Sequence, residues 1–261
     1  MCILCTMLQT ADRVLQILAR FDADREVMST AEISEAFGLH RSTASRLTST
    51  LTGRGFLEGS PAALRLGPEV GRLGWLVVGN RLDALSAAWE VMEQLAADCR
   101  ETVTLSVLDR WEAVSLVQAD GPHIIGIGSW TGRRTPSHCT ADGKVLMAFD
   151  EELELPAEPL VAYTDRTVTD PGELARELAA IREAGWGRAV GEVEDGLHGA
   201  SAPVRDPSGR CRAAIVVSGP SYRMPPERLE ELGERCIQAA ERLRAHAPAI
   251  GLSGVPRAPV A

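Results

Sequence analysis

The stretch AFGLHRSTASRLTSTLTGRGFL, residues 36–57, contains three arginines and a histidine but no acidic residue. The whole chain has 36 acidic residues among 261 and a formal net charge of −9, so the absence of acid is local. A polyanion feels such a local positive field within about 10 Å at moderate salt. The composition therefore argues against general coating of nucleic acid but allows one basic surface to bind phosphates.

The segment before Gly38 predicts a short helix that ends in a turn. Ser29 and Glu32 have the spacing of a capping box. Gly38 suits the left-handed backbone that follows a helix end. The residues expected to face the core from this helix are Ile33, Ala36 and Phe37. An earlier helix is predicted over residues 10–21, with Val14, Leu15, Leu18 and Phe21 on one face and Ile17 at its edge.

A second helix is predicted from about Arg41 to Thr52, with Ala44, Leu47 and Leu51 at helical spacing toward the core. Two short strands around a loop, 56–58 and 63–66, follow it as a predicted wing. Short polar side chains let such a helix enter a major groove, where arginines contact phosphates and guanine edges. The residues predicted to contact DNA are Ser29, Thr30, His40, Arg41, Ser42, Thr43, Ser45, Arg46 and Ser49. An ordinary helical hairpin with a solvated Ser/Thr face is the alternative.

The rest of the chain predicts a linker and a mixed α/β region. Residues 69–81 are helical in pattern but contain glycines at 71, 74 and 79. An amphipathic helix is predicted from about Leu82 to Cys99, with Leu85, Trp89, Met92 and Leu95 on one side. Strands are predicted at 102–108, 113–118, 124–130, 188–193, 201–205 and 211–218, and helices at 140–149, 171–184 and 225–246. This order predicts an α+β fold with helices packed on a sheet.

Several segments occur in a characteristic order: LHRSTASRLTSTLTGRGFL (39–57), LRLGPEV (64–70), ETVTLSVLD (101–109), TGRRTPSHCTADGKVLMAF (131–149) and GLHGASAPVRDPSGRCRAAIVVSGPS (196–221). Their order and spacing resemble the IclR family of bacterial transcriptional regulators over roughly residues 8–247. The resemblance implies a winged helix-turn-helix DNA-binding domain at 8–68, a linker helix at 69–81, a GAF-like α/β effector-binding domain at 82–250 and a flexible tail at 251–261. It also implies a homodimer or a dimer of dimers on a palindromic double-stranded DNA operator.

The same resemblance implies a small-molecule effector, often a carboxylic or aromatic acid. The pocket positions correspond here to Ile124, Ile127, Thr135, Ala141, Asp142, Ala189, Leu197 and Gly199. Free amides at the start of the helix near Thr140 are able to hold a carboxylate. Apolar side chains would cover the rest of the ligand.

Three positions depart from the family pattern. Ala189 stands where Asp is frequent, His198-Gly199 where Arg-Cys is frequent, and Asp142 where a small or apolar residue is usual. The loss of polar anchors and the gain of a carboxylate weaken the case for a small anionic ligand. The hypothesis is an effector that is larger, more neutral or cationic, or absent, and tight calorimetric binding of glyoxylate or pyruvate would contradict it. The alternative for Asp142 is that it only caps the helix.

No catalytic, metal or cofactor site is predicted. Cys2 and Cys5 form a single CxxC pair, whereas a zinc ribbon needs a second pair. His138 and Cys139 are adjacent, but no third orienting group is evident, so structural packing is expected. Residues 143–144 do not match a phosphate-binding loop. A metabolite-processing α/β enzyme with an N-terminal dimerisation arm is the alternative, and it would need a convergent catalytic cluster.

These observations predict a sequence-specific transcriptional regulator, with a repressor favoured over an activator, whose operator affinity is modulated by an effector. The longest apolar run, Leu73–Val78, is far shorter than the roughly 20 residues that span a bilayer. No basic flank precedes an apolar run at the N-terminus, which predicts no signal peptide. We therefore expect a cytoplasmic protein without membrane contact.

Overall fold

A computed structural model describes residues 9–22, 25–79, 82–150 and 152–250. It divides the chain into an N-terminal unit, residues 1–80, and a C-terminal unit, residues 81–261. The tail at 251–261 and the cysteine pair at positions 2 and 5 lie outside the described residues. Within the described residues, no helix combines the length and apolar composition needed to cross a membrane.

The N-terminal unit contains helices followed by a small wing. Its elements are α1 (Gln9–Leu18), α2 (Thr30–Ala36), α3 (Arg41–Gly53), β1 (Leu57–Ser60), β2 (Ala63–Leu66) and α4 (Pro68–Gly79). The two strands pair antiparallel, with Leu57 opposite Leu66. Met28 exchanges two backbone hydrogen bonds with Leu64, at 2.8 and 2.9 Å. The wing therefore has a third pairing segment, just before α2, that the sequence pattern did not predict.

The core of this unit corrects two predicted helix faces. Ile17 is fully buried, whereas Leu15 is 65% exposed. The inner face of α1 is centred on Ile17 because Val14, Leu18 and Phe21 are its neighbours at helical spacing, and position 15 points away from that face. In α2, Ala36 is exposed, and Ser34 is buried instead with its hydroxyl donating to the Leu39 carbonyl at 2.7 Å.

The C-terminal unit is a six-stranded antiparallel sheet with helices on both faces. Its helices are α5 (Leu82–Cys99), α6 (Ala141–Ala148), α7 (Pro171–Ala184), α8 (Leu229–Leu243) and α9 (Ala247–Ile250). Its strands are β3 (Thr102–Asp109), β4 (Glu112–Ala119), β5 (Arg134–Pro136), β6 (Gly187–Val190), β7 (Leu197–Arg205) and β8 (Cys211–Pro220), in the order β5-β4-β3-β8-β7-β6. The α+β prediction is confirmed.

Alternation along β8 separates two layers of the core. Ile215 and Val217 pack with α5 and α8. Ala214 packs with α6 and α7, and Val216 with Ala141. Side chains one residue apart on a strand point to opposite faces of the sheet, so this single strand contributes to both layers.

Two sequence predictions fail in this unit. Residues 124–130 are a loop rather than a strand: the Gln118 side chain bonds the Gly128 carbonyl and the Trp130 amide, so side-chain hydrogen bonds replace a ladder. Trp89 is 41% exposed. Its expected place on the inner face of α5 is taken by a stripe of small and medium residues, Ala84, Ala88, Val91, Met92 and Leu95, which let the helix approach the sheet closely.

Candidate DNA-binding helix and ligand cavity

The start of α2 is fixed by the capping box that the sequence predicts. The Ser29 hydroxyl accepts from the Glu32 amide at 3.1 Å, and the Glu32 carboxylate accepts from the Ser29 amide at 2.7 Å. The hydrogen bonds that the Glu32 carboxylate accepts from the Ser29 amide and, at 2.7 Å, from the Ser29 hydroxyl lower the pKa of Glu32. Gly38 has φ +58°, so the turn into α3 uses the left-handed backbone expected there.

The inner face of α3 holds it against α2. Ala44, Leu47 and Leu51 are buried, as expected. Thr48 is also buried, and sequence reasoning missed it. Its hydroxyl donates to the Ala44 carbonyl at 3.0 Å and lies 3.5 Å from the Thr30 hydroxyl of α2. Its position four residues after Ala44 places it on the same face, and the intrahelical bond satisfies the hydroxyl.

The outer face of α3 is polar and positively charged. Arg41, Ser42, Ser45, Arg46 and Ser49 are exposed, and Thr43 is half-buried. Among the described residues, neither the Arg41 nor the Arg46 side chain has a hydrogen-bond or ion-pair partner within the protein. Both guanidinium groups are therefore available to an external anion such as a DNA phosphate or a guanine edge.

Three other residues predicted to contact DNA have side-chain partners within the protein. The Nδ1 atom of His40 accepts from the Ser42 amide at 3.3 Å and caps α3. Ser29 caps α2, and the Thr30 hydroxyl faces Thr48. These three side chains position the helices, and their contact with DNA stays a prediction.

The C-terminal unit contains a cavity of about 40 Å³ between the sheet, α6 and the loop that follows β4. Its lining residues are Thr104, Ser115, Ile127, Trp130, Thr140, Ala141, Asp142, Ala189, Val193, Leu197, His198, Gly199, Val216 and Ser218. All but two of the predicted effector positions lie in this lining. Ile124 is instead fully exposed, because its segment is a loop. Thr135 is buried in β5, where its hydroxyl donates to the Ala113 carbonyl at 3.4 Å.

Sequence reasoning missed part of this lining. Trp130 lies in the cavity wall, with its indole N–H donating to the Ile127 carbonyl at 2.8 Å. Thr104 on β3 and Ser115 on β4 reach the same cavity from the sheet. Alternation within each strand predicts that these two hydroxyls lie on the same face of the sheet. It does not predict which helix covers that face.

The cap of α6 is Thr140, whose hydroxyl accepts from the Gly143 amide at 3.2 Å. Asp142 does not fill that role, although capping was the alternative drawn from the sequence. Asp142 is a lining residue of the cavity and is only 7% exposed. Within the described part of the chain, the Asp142 carboxylate has no hydrogen-bond or ion-pair partner.

His138 and Cys139 do not form a nucleophile and base. The His138 Nε2 atom lies 2.9 Å from the Val161 carbonyl. The Cys139 thiol donates to the Pro136 carbonyl, and burial raises its pKa to about 12, so it stays protonated at neutral pH. Both side chains are therefore packing residues, as expected.

A winged helix-turn-helix with an exposed cationic helix, followed by an α/β unit, is the architecture of a DNA-binding protein with a second domain. Two family models match the chain: the IclR helix-turn-helix domain over residues 10–61, and the bacterial transcriptional regulator IclR C-terminal domain over residues 77–245. The chain belongs to the IclR family of bacterial transcriptional regulators.

Individual relatives agree with this assignment. The chain is 31% identical over 239 residues to the transcriptional regulator XynR of Escherichia coli K12, covering 89% of this chain and 94% of XynR. It is 28% identical over 252 residues to the repressor IclR of the same organism, covering 90% and 88%. The crystal structure of an IclR homologue from Microbacterium hydrocarbonoxydans in complex with 4-hydroxybenzoate has a TM-score of 0.71 and 27% identity, covering 92% and 99%. The chain is thus a transcriptional regulator with a helix-turn-helix and a C-terminal effector domain, and not an enzyme.

Proposed function

We propose that this protein is an effector-controlled repressor whose α3 helix occupies the major groove of a palindromic operator. The observation that carries the proposal is the outer face of α3, where the Arg41 and Arg46 side chains are exposed and have no partner among the described residues. The absence of acid over residues 36–57 removes the side chains that would repel phosphates.

One α3 helix contacts one half-site, so specific binding requires at least a homodimer. Half-sites are then about 10 base pairs, or a multiple of that, apart. In this proposal the chain divides into a DNA-binding domain at residues 8–68, a linker at 69–81 and an effector domain at 82–250. The family matches over residues 10–61 and 77–245 support this division.

An effector in the cavity changes operator affinity only if it binds two arrangements of the dimer with different affinity. Gly71 and Gly74 lie in α4, between the two matched domains, and weaken that helix. Repression is favoured because two relatives are a transcriptional repressor and an acetate operon repressor. Release by a ligand is favoured by the structural relative that was crystallised with 4-hydroxybenzoate.

The test is a genomic pull-down with duplex footprinting, followed by release assays with metabolites encoded next to the bound site. We expect a footprint with two-fold symmetry and an affinity whose logarithm falls linearly with the logarithm of salt concentration. A protein-interaction module built on a winged helix would show no salt-dependent retention on duplex DNA, and that outcome would contradict the proposal.

A further inference from the structure

The lining of the cavity in the C-terminal unit includes one acidic residue, Asp142, and no lysine or arginine. Asp142 is 7% exposed and has no hydrogen-bond or ion-pair partner among the described residues. A buried charge without a partner is unfavourable. A cationic ligand that pairs with this carboxylate therefore supplies the favourable interaction that the protein itself does not provide.

The lysine of α6 pairs with carboxylates other than that of Asp142. Lys144, two residues along α6, is fully buried and forms ion pairs with Glu177 at 2.8 Å and Glu192 at 2.5 Å. The group formed by Lys144, Glu177 and Glu192 therefore has two carboxylates and one cation. Arg133 lies with its guanidinium carbon 5.5 Å from the centroid of the Trp130 ring and is not a lining residue.

The rest of the lining offers hydrogen-bond acceptors and apolar surface. The Nδ1 atom of His198 lies 2.8 Å from the Met224 carbonyl. When Nδ1 carries the proton and donates there, the other ring nitrogen of the neutral imidazole is an acceptor. Ile127, Leu197 and Val216 supply the apolar part.

We propose that this cavity binds a small organic cation, a protonated amine, with its ammonium group on Asp142 and its carbon atoms against the apolar lining. The assignment of this ligand as the effector rests on the function proposed above. A carboxylate ligand would place a second negative charge beside Asp142, which is unfavourable at short range. A volume of 40 Å³ corresponds to about three water molecules, so the part of the ligand inside is a small head group.

The test compares three small probes of similar size that differ in charge: propylammonium, propionate and propan-1-ol. Their dissociation constants for the full-length protein are measured by calorimetry at neutral pH and constant ionic strength. We expect propylammonium to bind at least about tenfold more tightly than propionate, which corresponds to 1.4 kcal/mol. Equal or tighter binding of propionate or propan-1-ol, or no detectable binding of propylammonium, overturns the proposal.

A matched pair of variants separates the effect of Asp142 from that of overall charge. Asp142→Asn keeps the shape but removes the negative charge, and we expect it to lose the preference for propylammonium. Asp195→Asn removes an exposed carboxylate of the same unit that is not in the lining, and the preference should persist. A preference retained in Asp142→Asn overturns the proposal. Thermal unfolding checks that both variants fold, and the comparison of probes on the unaltered protein does not depend on either.

Operator binding, measured with and without propylammonium, distinguishes the two proposals. Cation binding that leaves operator affinity unchanged supports the ligand class and contradicts effector control through this cavity. Propionate binding that releases the operator supports effector control and overturns the ligand class.

Discussion

The ammonium nitrogen of Lys144 lies 2.5 Å from the Oε2 atom of Glu192, and Lys144 is fully buried. Lys144 belongs to α6, Glu192 follows β6, and the second partner, Glu177, belongs to α7. The backbone carbonyl of Glu192 also accepts from the Thr167 hydroxyl at 2.6 Å. One buried cation thus joins two helices and the segment that follows an edge strand.

Replacement of this lysine should destabilise the C-terminal unit strongly. In Lys144→Met, Glu192 remains buried without its cation, and we expect the free energy of unfolding to fall by about 3–5 kcal/mol. Urea unfolding followed by circular dichroism measures the change. Glu177→Gln is the control, because Glu177 is partly exposed and its loss should have a smaller effect. A loss below about 1 kcal/mol in Lys144→Met, the size of an exposed ion pair, would contradict the expectation.

The DNA-binding proposal predicts a specific loss in Arg46→Ala. The Arg46 side chain is exposed and has no partner within the described protein, so folding should be unaffected. Operator binding should weaken by about 1–3 kcal/mol if the side chain contacts a base. Fluorescence anisotropy with the footprinted duplex measures it. Arg13→Ala, an exposed arginine of α1, is the control and should bind normally. Unchanged affinity and footprint in Arg46→Ala would count against the assignment.

The glycines of α4 lead to a prediction about the coupling between effector binding and operator affinity, not about folding. A Cβ atom added at Gly71 or Gly74 meets no atom within 4 Å, so alanine fits at both positions. Each substitution should favour the helix by about 1 kcal/mol. If α4 must bend or unwind for the effector to act, the double variant Gly71→Ala/Gly74→Ala should show a smaller ligand-dependent change in operator affinity. The same change as in the unaltered protein would show that this flexibility is not needed.

The turn between β7 and β8 predicts acid sensitivity. The Asp206 carboxylate accepts from the Ser208 hydroxyl, from Arg212 Nε at 2.7 Å and from the amides of Arg210 and Ser208 at 3.1 and 2.8 Å. These hydrogen bonds, the one from the Ser208 hydroxyl most of all, hold the pKa of Asp206 well below its usual range.

The folded-state pKa of Asp206 is lower than its unfolded-state pKa of about 4. The contribution of Asp206 to the free energy of unfolding is therefore complete above the unfolded-state pKa and is lost as the pH falls toward the folded-state pKa. We therefore expect the unaltered protein to lose more stability between about pH 5 and pH 2 than Asp206→Asn does. Urea unfolding over this range measures both, and parallel stability curves would contradict the assignment.

The fold of the N-terminal unit followed closely from local patterns. The capping box at Ser29, the turn at Gly38 and the limits of α3 were all evident before the structure, because each depends on residues within one or two helical turns. The errors, Leu15 and Ala36, concern which way a helix faces. That choice depends on what the helix packs against.

In the C-terminal unit, too, features set by local sequence were predicted correctly, whereas features set by packing were not. Helix α7 begins and ends at the predicted residues, Pro171 and Ala184, because proline and the following glycine mark its ends locally. The segment 124–130 has the composition of a strand but no strand to pair with, so Ile124 is exposed instead of lining the cavity.

The amino-acid sequence by itself determined the helix-turn-helix, the wing and the polar face of α3, since short-range hydrogen bonding and helical periodicity specify them. Only the tertiary structure decided that Trp130, Thr104 and Asp142 share one cavity and that Lys144 is buried between two glutamates. These groups come from segments far apart along the chain, and their proximity results from how the sheet, α6 and α7 pack together.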